Sequence, residues 1–203
     1  GVVVVAAPWN FPYAIPTLSI ASALVAGNRV IVKPSPHARA IGAHLVQQCH
    51  RAGVPTHMVQ LAACADGPVS TRLVTHPDVG LVVLTGSTAT AQRLLATAPQ
   101  MRLVAETSGK NTMVVTDAAD VDAAIRDVVR AAFGHAGQKC SATSLVVLVG
   151  DLGKRADVLE RLADATRSIR VGQATDLSTM TGPLIGTPND RLQRAFTTLE
   201  AGE

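Results

Sequence analysis

The chain has 203 residues, 47% hydrophobic and 16% charged, enough for one large or two small packed domains. Aromatics are only 2%, which disfavours the stacking platforms that hold single-stranded nucleic acid, so no nucleic-acid partner is assigned. The formal charge of +3 comes from scattered Lys and Arg rather than a run, and no stretch approaches the ~18 consecutive apolar residues of a membrane span.

In chain order, Val2 to Ala6 reads as a buried strand, and Pro16 opens a helix that runs to Ala26 and stops at Gly27. Arg29 to Lys33 is the next strand. A helix from Arg39 to Ala52 ends at Gly53 with Pro55 beyond. Strands at Met58 to Ala62, Gly80 to Leu84 and Met101 to Val104 alternate with helices at Val69 to Thr75 and Thr90 to Ala98. A second stretch, opening near Glu106, gives strand Thr112 to Val115 and a helix from Val121 to Phe133 capped by Asp117 or Asp120. Strand Ser144 to Val149 and a helix from Arg155 to Ile169 follow, and Gly172 to Asn189 reads as surface loop. Such alternation implies an α/β fold with a parallel sheet covered by helices on both faces. The chain opens at Gly1 directly before a strand and stops at Gly202-Glu203 soon after a helical pattern, which is expected of a piece of a longer protein.

Ligands of open α/β sheets bind beyond the carboxyl ends of the strands, so the residues that follow strands carry the information. In Pro8-Trp9-Asn10-Phe11-Pro12 the Asn10 amide could stabilise an oxyanion, or simply bond local backbone in a rigid turn. Lys33, in Lys33-Pro34-Ser35-Pro36, could meet a ribose or phosphate, or be a solvated strand-end lysine. Thr85-Gly86-Ser87-Thr88 enters a helix whose free N–H groups and Ser87 hydroxyl could hold a pyrophosphate, or form an ordinary cap. No Gly-x-Gly-x-x-Gly occurs. Gly109-Lys110-Asn111 lacks both the Ser/Thr after lysine and the glycine at position 104 that a P-loop requires.

The three cysteines, Cys49, Cys64 and Cys140, form no Cys-x-x-Cys pair, so neither a disulfide framework nor a structural zinc is expected and a reducing cytoplasm fits. The six histidines show no ligand spacing, and no metal is assigned. Cys49 in a helix and Cys64 in a loop read as structural. Cys140 lies in Gly134-His135-Ala136-Gly137-Gln138-Lys139-Cys140-Ser141-Ala142, between a helix end and an apolar strand. A thiol at such a turn can act as a nucleophile, with Glu106 at another strand-end junction as its partner base; the plain alternative is a small buried hydrophobe. His135 could serve as a dyad base or as a helix C-terminal charge.

Taken in order, Pro8-Trp9-Asn10-Phe11-Pro12, Lys33-Pro34-Ser35, Thr85-Gly86-Ser87-Thr88, Glu106-Thr107-Ser108-Gly109-Lys110-Asn111 and Gly137-Gln138-Lys139-Cys140 resemble the motifs of the aldehyde dehydrogenase superfamily along essentially the whole chain. The last two resemble the glutamate-γ-semialdehyde (1-pyrroline-5-carboxylate) dehydrogenases, including the aldehyde dehydrogenase half of bifunctional proline-catabolic enzymes. The resemblance implies a Rossmann-like NAD-binding domain in residues 1–105, incomplete at its N-terminus, and the first part of a catalytic domain in 106–203. It also implies a small-molecule aldehyde substrate and a homo-oligomeric parent. Cys140 would attack the aldehyde, Asn10 and the Cys140 N–H would hold the oxyanion, and Glu106 would activate the hydrolytic water. Trp9, Lys33, Ser35, Gly86 and Ser87 would bind the cofactor, Lys33 at the adenosine ribose and Ser87 at the pyrophosphate, while Ser141 would meet the substrate's distal carboxylate.

The chain departs from the family pattern at several points. Pro36 stands where many members carry a ribose-binding Glu, which leaves NADP open beside NAD. Ser108-Gly109 replaces Gly-Gly, and Ala91 replaces a glycine. The competing expectations are another aldehyde or semialdehyde dehydrogenase, a CoA-acylating dehydrogenase, which would not need Glu106, and an inactive truncated fragment.

Overall fold

The computed structural model describes residues 1–198; the expected chain end at Gly202-Glu203 lies outside them. The chain divides into two compact units, Gly1–Ser108 and Gly109–Glu203.

The first unit contains β1 (Val2–Ala7), α1 (Ala14–Val25), β2 (Arg29–Pro34), α2 (Arg39–Arg51), β3 (Val59–Leu61), α3 (Pro68–Val74), β4 (Val79–Gly86), α4 (Thr88–Thr97) and β5 (Leu103–Thr107). All five strands run parallel in the order β3-β2-β1-β4-β5. Four consecutive valines open β1 because successive side chains alternate between faces and both faces are covered. Val3 and Val5 pack with Ile20 and Ala23 of α1 and with Leu45 and Val46 of α2. Val4 packs on the other face, against Val74 of α3 and Ala91 and Leu94 of α4. The parallel sheet with helices on both faces expected from the sequence is therefore present.

Several boundaries differ from the sequence expectation for identifiable reasons. Helix α1 begins at Ala14 rather than Pro16; a proline in the first turn is tolerated because those N–H groups have no helical partner in any case. Helix α4 begins at Thr88 because the Ser87 hydroxyl accepts the Thr90 N–H at 3.1 Å and caps it. Strand β5 extends to Thr107, since pairing of Thr85 with Glu106 and Gly86 with Thr107 continues the ladder. Glu106 thus lies inside a strand rather than beyond one.

The second unit contains β6 (Asn111–Val115), α5 (Val121–Phe133), β7 (Thr143–Leu148), α6 (Ala156–Arg167) and α7 (Asp190–Thr197). Strands β6 and β7 are parallel, joined by α5 as the crossover helix. Val115, Leu152 and Val158 form the buried core, with Val121 and Ala124 of α5 and Val146 and Leu148 of β7 against it. Asp120 caps α5 by accepting the Ala123 N–H at 3.0 Å. Asp117, the other candidate cap, instead accepts the Leu152 N–H at 3.1 Å. Gly150 passes so close to Asp117, at a φ of +73°, that a Cβ there would fall on the carboxylate. Arg161 of α6 pairs with Asp122 of α5. Between Gly172 and Asn189 there is no helix or strand beyond one isolated bridge, Val171 with Thr181.

Helix α2 meets the end of β2 at Gly42, where an added Cβ would stand 2.7 and 2.8 Å from the Pro34 ring carbons. Neither partner is flexible, so Gly42→Ala should destabilise by about 1–3 kcal/mol. A lowered urea midpoint at unchanged slope is the expected readout; an unchanged midpoint would mean that α2 can move away at no cost.

Candidate active site

In the first unit the strand order reverses between β1 and β4, so the switch point of this sheet lies at their carboxyl ends. The Pro8–Pro12 turn leaves β1 with Trp9 and Asn10 half-buried. Gly86 ends β4 and is exposed, as is Ser87. The neighbouring strands bring Lys33 and Ser35 to the end of β2 and Glu106 to the end of β5. The Ser35 N–H bonds the Ala7 carbonyl at 3.0 Å, which fixes the exit of β2 to that of β1.

Lys33 is not the solvated strand-end lysine of the plain reading. Its side chain is 10% exposed, and its ammonium donates to Asp66 at 2.6 Å; Asp66 itself is 64% exposed. Burying an ammonium is costly unless it is paired, and Asp66, in the loop after β3, supplies the counter-charge. The Ser87 hydroxyl serves as the cap of α4 and also contacts the Thr90 hydroxyl at 2.9 Å. Ser35 likewise caps the short 3₁₀ turn Pro36–Ala38. The donor set at this sheet end is a buried cation, capping hydroxyls and the amino end of the ten-residue α4, and its chemistry fits an anionic dinucleotide. Glu106 is exposed on β5.

Cys140 and Ser141 belong to the second unit and are exposed. Helix α5 ends at Phe133, and the next residues turn sharply: His135 (φ 59°, ψ 30°) and Ala136 (φ 54°, ψ 33°) are left-handed, and Gly137 follows at φ 69°. They are the only non-glycine residues with positive φ among the described residues. His135 therefore sits two residues beyond the helix, inside a turn whose 135 carbonyl accepts the Gln138 N–H at 3.1 Å. On the other side of Cys140, the Asn111 amide donates to the Cys140 carbonyl at 2.5 Å and to the Ala142 carbonyl at 3.0 Å. The Ala142 N–H closes a turn on the Lys139 carbonyl at 3.2 Å. Asn111 is the last residue of the Glu106–Asn111 motif, but its grip on the cysteine carbonyl has no local sequence signal.

Cys49 and Cys64 are half-buried, whereas Cys140 is exposed. Cys49 packs against the core of the first unit, and burial pushes its thiol up from the ordinary value. Among the described residues no group of three or more His, Cys, Asp or Glu side chains is arranged to hold a metal ion, and no described helix is long and apolar enough to cross a membrane.

Residues 1–198 match the profile of the aldehyde dehydrogenase family. The 1-pyrroline-5-carboxylate dehydrogenase of Anoxybacillus flavithermus is 36% identical over 193 residues, covering 91% of this chain and 37% of that relative. The structure of Proline Utilization A from Corynebacterium freiburgense superposes with a TM-score of 0.93 at 46% identity, over 100% of this chain and 21% of that one. A betaine aldehyde dehydrogenase from Staphylococcus aureus, solved in complex with NAD+, superposes with a TM-score of 0.87 at 28% identity, over 92% of this chain and 37% of that one. The chain thus spans just over a third of the length of the curated relative.

Two outcomes follow from the cysteine environments. A raised Cys49 pKa means less thiolate at neutral pH, so iodoacetamide should label Cys49 about tenfold or more slowly than the exposed Cys140, read by peptide mass spectrometry; equal rates would contradict the burial assigned to Cys49. Asn111→Ala removes both carbonyl contacts and should cost about 1–2 kcal/mol, with faster trypsin cleavage after Lys139. Wild-type resistance to trypsin would show that the loop is held without Asn111.

Proposed function

The chain belongs to the aldehyde dehydrogenase family, and on that premise we propose that it carries the cofactor-binding and nucleophile-bearing parts of an NAD-dependent dehydrogenase. Its reaction is the oxidation of L-glutamate γ-semialdehyde to L-glutamate through a thioester on Cys140. The observation that carries the reading is the setting of Cys140: an exposed thiol on a turn whose carbonyl is gripped by Asn111. The 1-pyrroline-5-carboxylate dehydrogenase and Proline Utilization A relatives support the substrate.

In this mechanism the Cys140 thiolate adds to the aldehyde carbon and forms a C–S bond as the carbonyl oxygen becomes an oxyanion. The Asn10 amide and the Cys140 N–H donate to that oxygen, where charge develops in the transition state. NAD+, when bound, supplies the acceptor for the hydride that leaves the former aldehyde carbon. Glu106 then takes a proton from water as the water attacks the thioester; the C–S bond breaks, the acid departs and the Cys140 thiolate is restored. Ser141, adjacent to the nucleophile, binds the distal carboxylate of the substrate. The first unit is assigned to the cofactor: Trp9 lines it, the Lys33–Asp66 pair meets the adenosine ribose, and Ser35, Gly86 and Ser87 lie along the phosphates.

Each role has its own kinetic signature. Cys140→Ala should abolish NADH formation, whereas Glu106→Gln should keep a rapid first turnover and then slow steady-state turnover by about 10²–10⁴-fold. Asn10→Ala should lower kcat by about 10²–10³-fold. Stopped-flow absorbance of NADH on the complete polypeptide carrying these residues reads all three. A Glu106→Gln enzyme with normal turnover would remove Glu106 from the mechanism. Equal kcat/KM for aldehydes with and without a distal carboxylate would point instead to a different aldehyde.

A further inference from the structure

Three consecutive left-handed residues, His135, Ala136 and Gly137, stand directly before the nucleophile segment. The conformation is sterically unfavourable for any residue with a Cβ, and such outliers persist only where the surroundings over-determine them. The turn closes with a backbone bond from the Gln138 N–H to the His135 carbonyl. A further constraint comes from far along the chain. The Thr181 hydroxyl donates to the Phe133 carbonyl at 2.8 Å and accepts the Ala136 N–H at 2.9 Å, across 48 and 45 positions. One side-chain oxygen therefore joins the last residue of α5 to the middle of the turn.

We propose that Thr181 is a positioning residue for catalysis: its hydroxyl locks the left-handed turn that sets the direction of the backbone at Cys140. The proposal rests on the reading of Cys140 as the nucleophile. Thr181 is only 9% exposed, so solvent is a poor substitute for its two bonds. It is itself anchored, its N–H on the Arg170 carbonyl at 3.2 Å and its carbonyl on the Gly172 N–H at 3.2 Å. Gln138, two residues before the nucleophile, extends the same strap: its Oε1 accepts the Ile185 N–H at 2.9 Å, while its Nε2 donates to the His135 carbonyl at 3.2 Å and the Pro183 carbonyl at 3.4 Å. The segment from Thr181 to Ile185 holds the turn from outside, and Asn111 holds the carbonyl on the far side of Cys140. Between these two restraints the Cys140 N–H and thiol have a defined direction, as an oxyanion donor and a nucleophile require.

The test uses Thr181→Val, which keeps the size of the side chain and removes both hydrogen bonds. It is run on the complete polypeptide with NAD+ and glutamate γ-semialdehyde, in single-turnover mode with enzyme in saturating excess. Under that condition the rate constant of NADH formation does not depend on how much of the enzyme is folded, so mere destabilisation leaves it unchanged. The expected result is a rate constant lowered about 10–100-fold, with KM and NAD+ affinity within about twofold of wild type and recovery of the rate in Thr181→Ser, which restores the hydroxyl. Should the valine variant fail to fold, Thr181→Ala carries the same expectation. Cys140→Ser is run beside them. If Cys140→Ser is inactive and the valine or alanine variant keeps the wild-type rate constant, or if Thr181→Ser is as slow as they are, the role of the hydroxyl is overturned and the nucleophile assignment survives. If Cys140→Ser keeps wild-type activity, the nucleophile assignment falls and the proposal falls with it.

Discussion

Strand β1 is paired on both edges and packed on both faces, and this one constraint governs where chemistry can occur in the first unit. A strand so enclosed has no room for an unpaired polar side chain, and Val3, Val4 and Val5 are each 3% exposed or less. Polar groups are thereby displaced to the strand ends. Because β2 and β4 flank β1 in the same direction, their carboxyl ends open at one side of the sheet. Trp9, Asn10, Lys33, Gly86, Ser87 and Glu106 all belong to that side, although they come from four strands and are scattered over nearly one hundred residues of sequence.

The second unit solves a different problem. Its candidate nucleophile lies outside regular structure, where neither helix nor ladder fixes the backbone. Precision has to come from side chains: the Asn111 amide after the cysteine, and the Thr181 hydroxyl and Gln138 amide before it. These three residues contribute little to the hydrophobic core. They replace the regularity that a secondary-structure element would have provided, and they do so with groups that can each bond two or more backbone atoms.

The sheet was legible in the sequence because buried parallel strands are continuous runs of Val, Leu and Ile, and because the strand-end rule converts that pattern into a short set of candidate positions. The termination of α2 was legible for an equally local reason, and the sequence narrowed the cap of α5 to Asp117 or Asp120, of which Asp120 makes the bond. The end of β5 was placed short, because pairing of Thr85 with Glu106 and Gly86 with Thr107 carries the strand three residues past Val104. Lys33 could not be distinguished from a solvated lysine without knowing that the loop after β3 returns Asp66 to it. The turn before Cys140 was only partly visible, since Gly137 advertises a positive φ whereas His135 and Ala136 do not. Thr181 was read as part of a surface loop, because a hydroxyl whose partners lie 45 and 48 positions away leaves no periodic or local trace.

The strand order also carries a kinetic consequence. Strand β1 can pair with β2 as soon as Arg29–Pro34 exists, but its other edge is reserved for β4, which begins only at Val79. During synthesis at roughly 5–20 residues per second, that edge of four valines remains open for several seconds. Helices α1 and α2 can cover one face in that interval, whereas the other face awaits α3 and α4. The central strand of the finished sheet therefore keeps one edge open to association with other chains until β4 emerges.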